Sequence, residues 1–423
     1  MHGAGTRPAI THAEPPARCL DVTRLVSRVG RGPHTGVDRV EWAYLEALID
    51  RPAPLFLLCR TAFGHVLLDR VGARELHGRL SGTAPWGKAD LIGRLSRRLP
   101  PARQRAEADL RRLCIARARR ARLGRMLARH LPAGTAYINV GHTDLGQEVL
   151  DALRKVPELR IAVLIHDTIP LDYPQFQRPG TPARFESMLR RVGAAADLVI
   201  YNSAATRDAA QHWFAQWGPV PTGVVAHLGL TLDSPDPAAL PEGIDLTRPV
   251  FVALGTIEPR KNHALLLDVW EALRAEMPAD RLPTLVIAGS RGWENETVFK
   301  RLDALPPGSG VLERPGLSDA AVSALLDKSA ALLFPSLAEG YGLPPIEAAA
   351  LGTPVICTNL PVYREILGDY PVYAEPNDVY FWKQSIRNVA ESRQAGQTMA
   401  AGKRVPVDPP VWQDHFNLIF GLT

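Results

Sequence analysis

Short apolar runs recur along the chain. LFLLC (55–59), AYINV (136–140), IAVLIH (161–166) and DLVIY (197–201) come first, then VFVALG (250–255), TLVIAG (284–289), ALLFP (331–335) and PVICT (354–358). Their hydrophobicity is continuous rather than alternating, the pattern of strands buried on both faces. Longer segments of helical period lie between them. This alternation predicts an α/β protein whose parallel sheets carry helices on both sides. The stretch LTLDSPDPAALPEGIDLTRP (230–249) interrupts the rhythm. It is rich in proline and aspartate, lacks a sustained period, and reads as an interdomain linker. The expected architecture is two Rossmann-like, doubly wound domains facing a cleft, residues 1–235 and 248–395. A tail, 396–423, follows; its PPVWQDHFNLIF (409–420) predicts a short helix that either packs back on the first domain or finishes the second. Ligands of such sheets bind at the carboxyl ends of the strands.

Composition changes this picture little. A chain of 423 residues is long for one core, and 46% hydrophobic with 22% charged residues fits a soluble globular protein. The four cysteines are far apart, so neither a zinc site nor a disulfide framework is expected, and a reducing cytoplasm suits them. The first eighteen residues hold no apolar core, so no signal peptide is expected, and no run is long enough to span a bilayer. The formal charge of +5 is unevenly spread, because thirteen arginines fall between Arg94 and Arg129. From Gln104 to His130 that segment has helical propensity, with Leu110, Leu113, Leu123 and Leu127 in partial register. Two readings stand: residues 94–130 rest on an anionic membrane surface, or they form a solvated arginine-rich helix packed by its leucines. No aromatic residues interleave the arginines, so nucleic acid is not an expected partner.

Candidate chemistry concentrates in the second half. In SLAEGYGLPPIEAAALGTPVI (336–356) a strand leads through a glycine loop into a helix that tolerates Pro344 or Pro345 in its first turn and ends near Gly352. Such a helix start offers free N–H groups and a positive dipole end to a phosphate. Glu339 and Glu347 fit there if each accepts hydroxyls, of a sugar and of a ribose; otherwise one is a loop residue and the other complements the dipole. VFVALGTIEPRKNHALLLDVW (250–270) places Arg260 and Lys261 where another strand–helix loop ends, with Asn262 as a helix cap. Such a basic pair can neutralise a diphosphate. The glycines of GRGPHTG are spaced one residue too long for a dinucleotide fingerprint, and LFLLCR ends in no acidic residue, which counts against a dehydrogenase.

With GTIEPRKN, the Glu-x7-Glu segment EGYGLPPIE, HDTIPLDYPQF (166–176) and TGVDRVEWAYLEAL (35–48), the chain resembles the retaining glycosyltransferases of the GT-B fold, family 4, over about residues 20–390. The bacterial branch of GDP-mannose-dependent mannosyltransferases is the most similar. The resemblance implies an acceptor-binding first domain and a nucleotide-sugar-binding second one. Arg260 and Lys261 would bind the donor diphosphate, Glu347 the ribose and Glu339 the donor sugar's hydroxyls. Backbone amides around Gly340, Tyr341, Gly342 and Leu343 would cradle the distal phosphate and sugar. His166 would reach the sugar across the cleft, with Asp167 beside it, and Gly36 in the first strand–helix loop would let the phosphate approach. The expected partners are a nucleotide-sugar donor and a glycan or lipid-linked acceptor. No Asp-x-Asp pair occurs, so neither a metal nor another cofactor is expected. A catalytically idle GT-B subunit that binds a nucleotide sugar or scaffolds a partner is the alternative.

Overall fold

The computed structural model describes residues 14–32, 34–96, 98–394 and 406–423. Residues 1–13, Pro33, Arg97 within the arginine-rich segment, Ala395 at the end of the expected second domain, and 396–405 of the expected tail lie outside the described residues.

All eight apolar runs form strands. The first sheet holds β1 (Arg18–Asp21), β2 (Leu55–Thr61), β3 (Gly64–Leu68), β4 (Ala116–Ala118), β5 (Ala136–Asn139), β6 (Arg160–Ile165), β7 (Leu198–Tyr201) and β8 (Gly223–Val225), in the order β4-β3-β2-β1-β5-β6-β7-β8. The second holds β9 (Val250–Leu254), β10 (Thr284–Ala288), β11 (Val311–Glu313), β12 (Ala331–Phe334), β13 (Val355–Thr358) and β14 (Val372–Ala374), in the order β11-β10-β9-β12-β13-β14. Continuous apolarity has the expected cause. In β6, Ile161, Val163 and Ile165 enter one core while Ala162 and Leu164 enter another. In β9, Phe251 and Ala253 face one way, Val250 and Val252 the other.

Two features depart from the sequence reading. The first sheet is not wholly parallel, since β3 runs antiparallel to both β2 and β4. The helix expected from Gln104 to His130 is broken into Pro101–Leu113 and Leu123–His130. Between them Ala116–Ala118 pairs with His65–Leu67 as the sheet's edge, so tertiary pairing overrides local helical propensity.

The second sheet is parallel throughout, and its strand order reverses between β9 and β12. Helices leaving those two strands go to opposite faces, opening a crevice at their carboxyl ends. The parallel part of the first sheet reverses likewise between β1 and β5. The helix Trp412–Leu422 lies on the first domain: Arg18 donates to the carbonyls of Phe420 and Thr423 at 2.9 and 3.0 Å, and Tyr44 bonds His415 at 2.7 Å. Tyr341, Ile346 and Ala349 of the second domain share a core with Tyr44 and Leu45 of the first. Among the described residues no helix is long and apolar enough to cross a membrane.

Candidate active site

The loops at the second sheet's reversal carry the motif residues. After β9 a short turn, Pro259–Lys261, precedes the helix His263–Glu276, with left-handed Asn262 between them. After β12 a loop runs to the helix Leu343–Ala350. Because β9 and β12 are neighbours, these loops meet: Leu337 N donates to the Arg260 carbonyl at 2.7 Å and Arg260 Nη1 donates to Ala338 O at 2.9 Å.

Glu339 is the hub. Its Oε1 accepts from Lys261 Nζ at 2.5 Å and from Arg260 Nη1 at 2.8 Å. Arg260 Nε turns to Glu258 at 2.7 Å, and Lys261 Nζ lies 4.3 Å from the centre of the Phe334 ring. Burial alone would raise the Glu339 carboxyl, but the two cations outweigh it and bring it down to about 2. Burial instead prevails at Glu258, which is raised despite Arg260 and Lys261. Lys261 is lowered by its burial, which Glu339 only partly offsets.

The glycine loop meets the first domain. A side chain at Gly340 would overlap the His166 carbonyl, and Thr206 Oγ1 donates to the Gly340 carbonyl at 3.1 Å. Gly342 has φ of +81° and packs on the Tyr363 ring, so only glycine suits it. Tyr341 is buried and its hydroxyl donates to Leu228 O at 2.7 Å, so only its backbone is available to a ligand. Leu343 lies 3.7 Å from where a Gly36 side chain would begin. Gly36, expected in a loop, is the first residue of the helix Gly36–Ile49: Asp38 accepts from Thr35 N at 2.8 Å, half of a capping box that fixes where the helix begins.

His166 directly follows β6, with its Nε2 on the Val140 carbonyl at 2.7 Å. Burial, with His142 beside it, holds its pKa far below the ordinary value, so the ring is neutral. Burial raises Asp167 against the pull of Arg260. His142 meets the His166 ring edge-on at 4.9 Å and lines a first-domain cavity of about 420 Å³ with Arg60, Asp144, Glu148 and Arg191. His142 and Asp144 are left-handed, with φ of +53° and +60°, a conformation that Asp and His adopt more readily than most side chains.

Arg260, Lys261, Glu339 and Gly340 are thus brought into one cluster facing His166 and Asp167. Gly36, Leu343 and Glu347 form a second at the other end of the same loop. The sequence reading missed Arg39, whose Nη1 lies 2.5 Å from Glu347 Oε1. Its only signal was a basic residue one helical turn after Gly36. Paired cations and a helix start at a sheet's reversal suit an anion, and an ionised Glu339 suits hydroxyls.

Residues 240–404 match the family of glycosyl transferases, group 1. The chain is 31% identical over 233 residues to the serotype-specific mannosyltransferase WbdA of Escherichia coli, covering 51% of this chain and 28% of that protein. It is 34% identical over 126 residues to O-antigen chain mannosyltransferase B of Escherichia coli, covering 30% of this chain and 32% of that protein. The matches thus span about a third or less of these curated relatives. Among solved structures, Anabaena Alr3699/HepE in complex with UDP is similar with a TM-score of 0.59 at 16% identity, covering 95% of this chain and 98% of that one. Likeness at that identity shows the fold: two Rossmann-like domains of GT-B type.

Proposed function

We propose that the protein is a retaining, metal-independent glycosyltransferase of family 4. It moves a hexose, mannose from GDP-mannose, to a glycan or lipid-linked acceptor of bacterial surface polysaccharide. The similarity to WbdA, a mannosyltransferase, and to mannosyltransferase B, of the O-antigen chain, supports the sugar and the pathway class. The observation that carries the reading is Arg260 and Lys261 joined through Glu339 beside the 340–343 backbone, at the reversal of the second sheet.

In such a transfer the bond from the anomeric carbon to a phosphate oxygen breaks and a bond to an acceptor hydroxyl forms. The acceptor's proton passes to the departing phosphate, so no carboxylate nucleophile is assigned. Negative charge grows on the diphosphate, and Arg260, Lys261 and the helix start at Leu343 oppose it. Donor hydroxyls would share the Glu339 carboxylate with Arg260 and Lys261, an arrangement that sets both cations beside the phosphate. His166, neutral, faces the sugar as a hydrogen-bonding group, and the cavity lined by His142 and Asp144 takes the acceptor. Residues 94–130 place the enzyme on the cytoplasmic face of the membrane, beside a lipid-carried acceptor.

The test is turnover with a panel of nucleotide sugars. Lys261→Ala is expected to lower turnover by about 10²-fold or more, as loss of a charge-stabilising donor does, while EDTA leaves it unchanged. Full turnover in that variant would defeat the assignment. A wild-type protein that never hydrolyses or transfers any donor it binds would be the idle subunit instead.

A further inference from the structure

Glu347 is buried, yet the group on its Oε1 is a cation from the other domain, Arg39 Nη1 at 2.5 Å. Arg39 follows Gly36 by three residues, on the same helix. Its Nη2 donates to the Thr231 carbonyl in the linker at 3.1 Å, so the guanidinium is fixed at both ends. Asp319, which opens the helix Asp319–Lys328, bears on both members of the pair, and Asp233 of the linker bears on Arg39. Arg39, Leu343, Thr231, Asp233 and Asp319 line a cavity of about 260 Å³.

We propose that Arg39 is a positioning residue of the donor site, keeping Glu347 ionised and aimed to accept the hydroxyls of a nucleotide's ribose. The inference rests on the donor-site reading above. A carboxyl taken out of water prefers to keep its proton, and a protonated carboxyl loses much of the acceptor capacity that a ribose diol requires. Burial raises Glu347 and Asp319 adds to the rise, while Arg39 opposes both. Arg39 belongs to the first domain, so the ribose end of the second-domain pocket is complete only when the two domains are together. A gate that must swing aside before ligand enters makes the opposite prediction, because its removal would tighten binding.

The experiment is calorimetric titration of the full chain with GDP, UDP and ADP, continued with the tightest of the three. Arg39→Gln is expected to raise Kd in the acid half of the pH series, by at most about tenfold for each pKa unit that Glu347 gains on losing its cationic partner. The ratio of variant to wild-type Kd falls as pH rises and Glu347 ionises without its partner. A Glu347→Gln background removes the effect of Arg39→Gln. Arg39→Lys keeps the charge but not the two-ended hold; it weakens binding about threefold and carries the test should Arg39→Gln fail to fold. Variants binding as tightly as wild type or more tightly, a pH-independent ratio, or an undiminished effect in the Glu347→Gln background each overturn the inference alone. Wild-type protein that binds none of the three nucleotides overturns the donor-site reading and this inference with it.

Discussion

Glu339 carries both cations of the cluster on one oxygen, and its ionisation therefore enters the stability of the fold. Its folded pKa of about 2 lies below the ordinary 4.5. The stabilisation is fully present above pH 4.5 and is lost as pH falls through about 2. Such a depression corresponds to about 3 kcal/mol at neutral pH. Glu339→Gln, which also leaves two buried cations without their shared partner, should destabilise by about 3–5 kcal/mol. Urea unfolding of the two proteins should show that gap at pH 7 and its steady narrowing toward pH 3. A gap independent of pH would refute the ionised hub. Arg260, Lys261, Glu339 and Glu347 were legible because each stands within two residues of a glycine or proline that marks a strand–helix loop. Arg39 was not, because its partner lies 308 residues away and no local pattern signals a cross-domain pair.

The two domains are joined by a helix cap. Glu365, on the second-domain helix Pro361–Leu367, accepts from the N–H groups of Ala204 and Ala205 at 2.7 and 3.1 Å, at the start of the first-domain helix Ala204–Trp217. His227 adds a contact at 2.7 Å. A carboxylate at a helix N-terminus satisfies free donors and meets the dipole, so Glu365→Ala should lower stability by about 1–2 kcal/mol. Because the cap crosses the domain boundary, small-angle scattering should also show a larger radius of gyration in that variant. Unchanged scattering would mean that the shared core around Tyr341 and the other cross-domain bonds, such as Arg39 to Glu347, suffice to set the domain arrangement. At this scale the sequence was readable wherever a strand was apolar on both faces. It hid β1, whose Arg18 and Asp21 look like loop residues but are buried and bonded, Asp21 accepting from Tyr137 at 3.1 Å. It hid β3 and β4 because antiparallel edge strands need only a tight turn and a few residues.

Whether the whole molecule meets a membrane depends on how its arginines are divided. Arg103 pairs with Glu107, Arg111 with Asp90 and Arg112 with Asp109, at 3.0, 2.6 and 2.6 Å; the first and last pairs lie within the helix Pro101–Leu113, the middle one ties it to Asp90, and all three guanidiniums are occupied. Arg94, Arg98, Arg105, Arg117, Arg122 and Arg125 are exposed, and none pairs with a carboxylate among the described residues. The continuous amphipathic helix of the sequence reading is absent, and a different apolar element stands in the same segment. Leu91 and Leu95, four residues apart on the helix Leu91–Leu95, are 77% and 75% exposed, with exposed Arg94 between them. Two leucines without protein partners beside free guanidiniums suit an interface of acyl chains under anionic headgroups. Co-sedimentation should therefore be seen with vesicles containing phosphatidylserine and not with phosphatidylcholine alone. It should weaken as salt rises and shortens a screening length of about 10 Å at 0.1 M. Each juxtamembrane arginine contributes about 1 kcal/mol, so Arg94→Ala with Arg98→Ala should weaken binding about thirtyfold. Leu91→Asp with Leu95→Asp should abolish it while leaving transfer to a soluble acceptor intact, since neither leucine touches the cluster around Glu339. Protein that stays in the supernatant with anionic vesicles at low salt would assign the exposed arginines to solubility and leave the acceptor to reach the enzyme by diffusion.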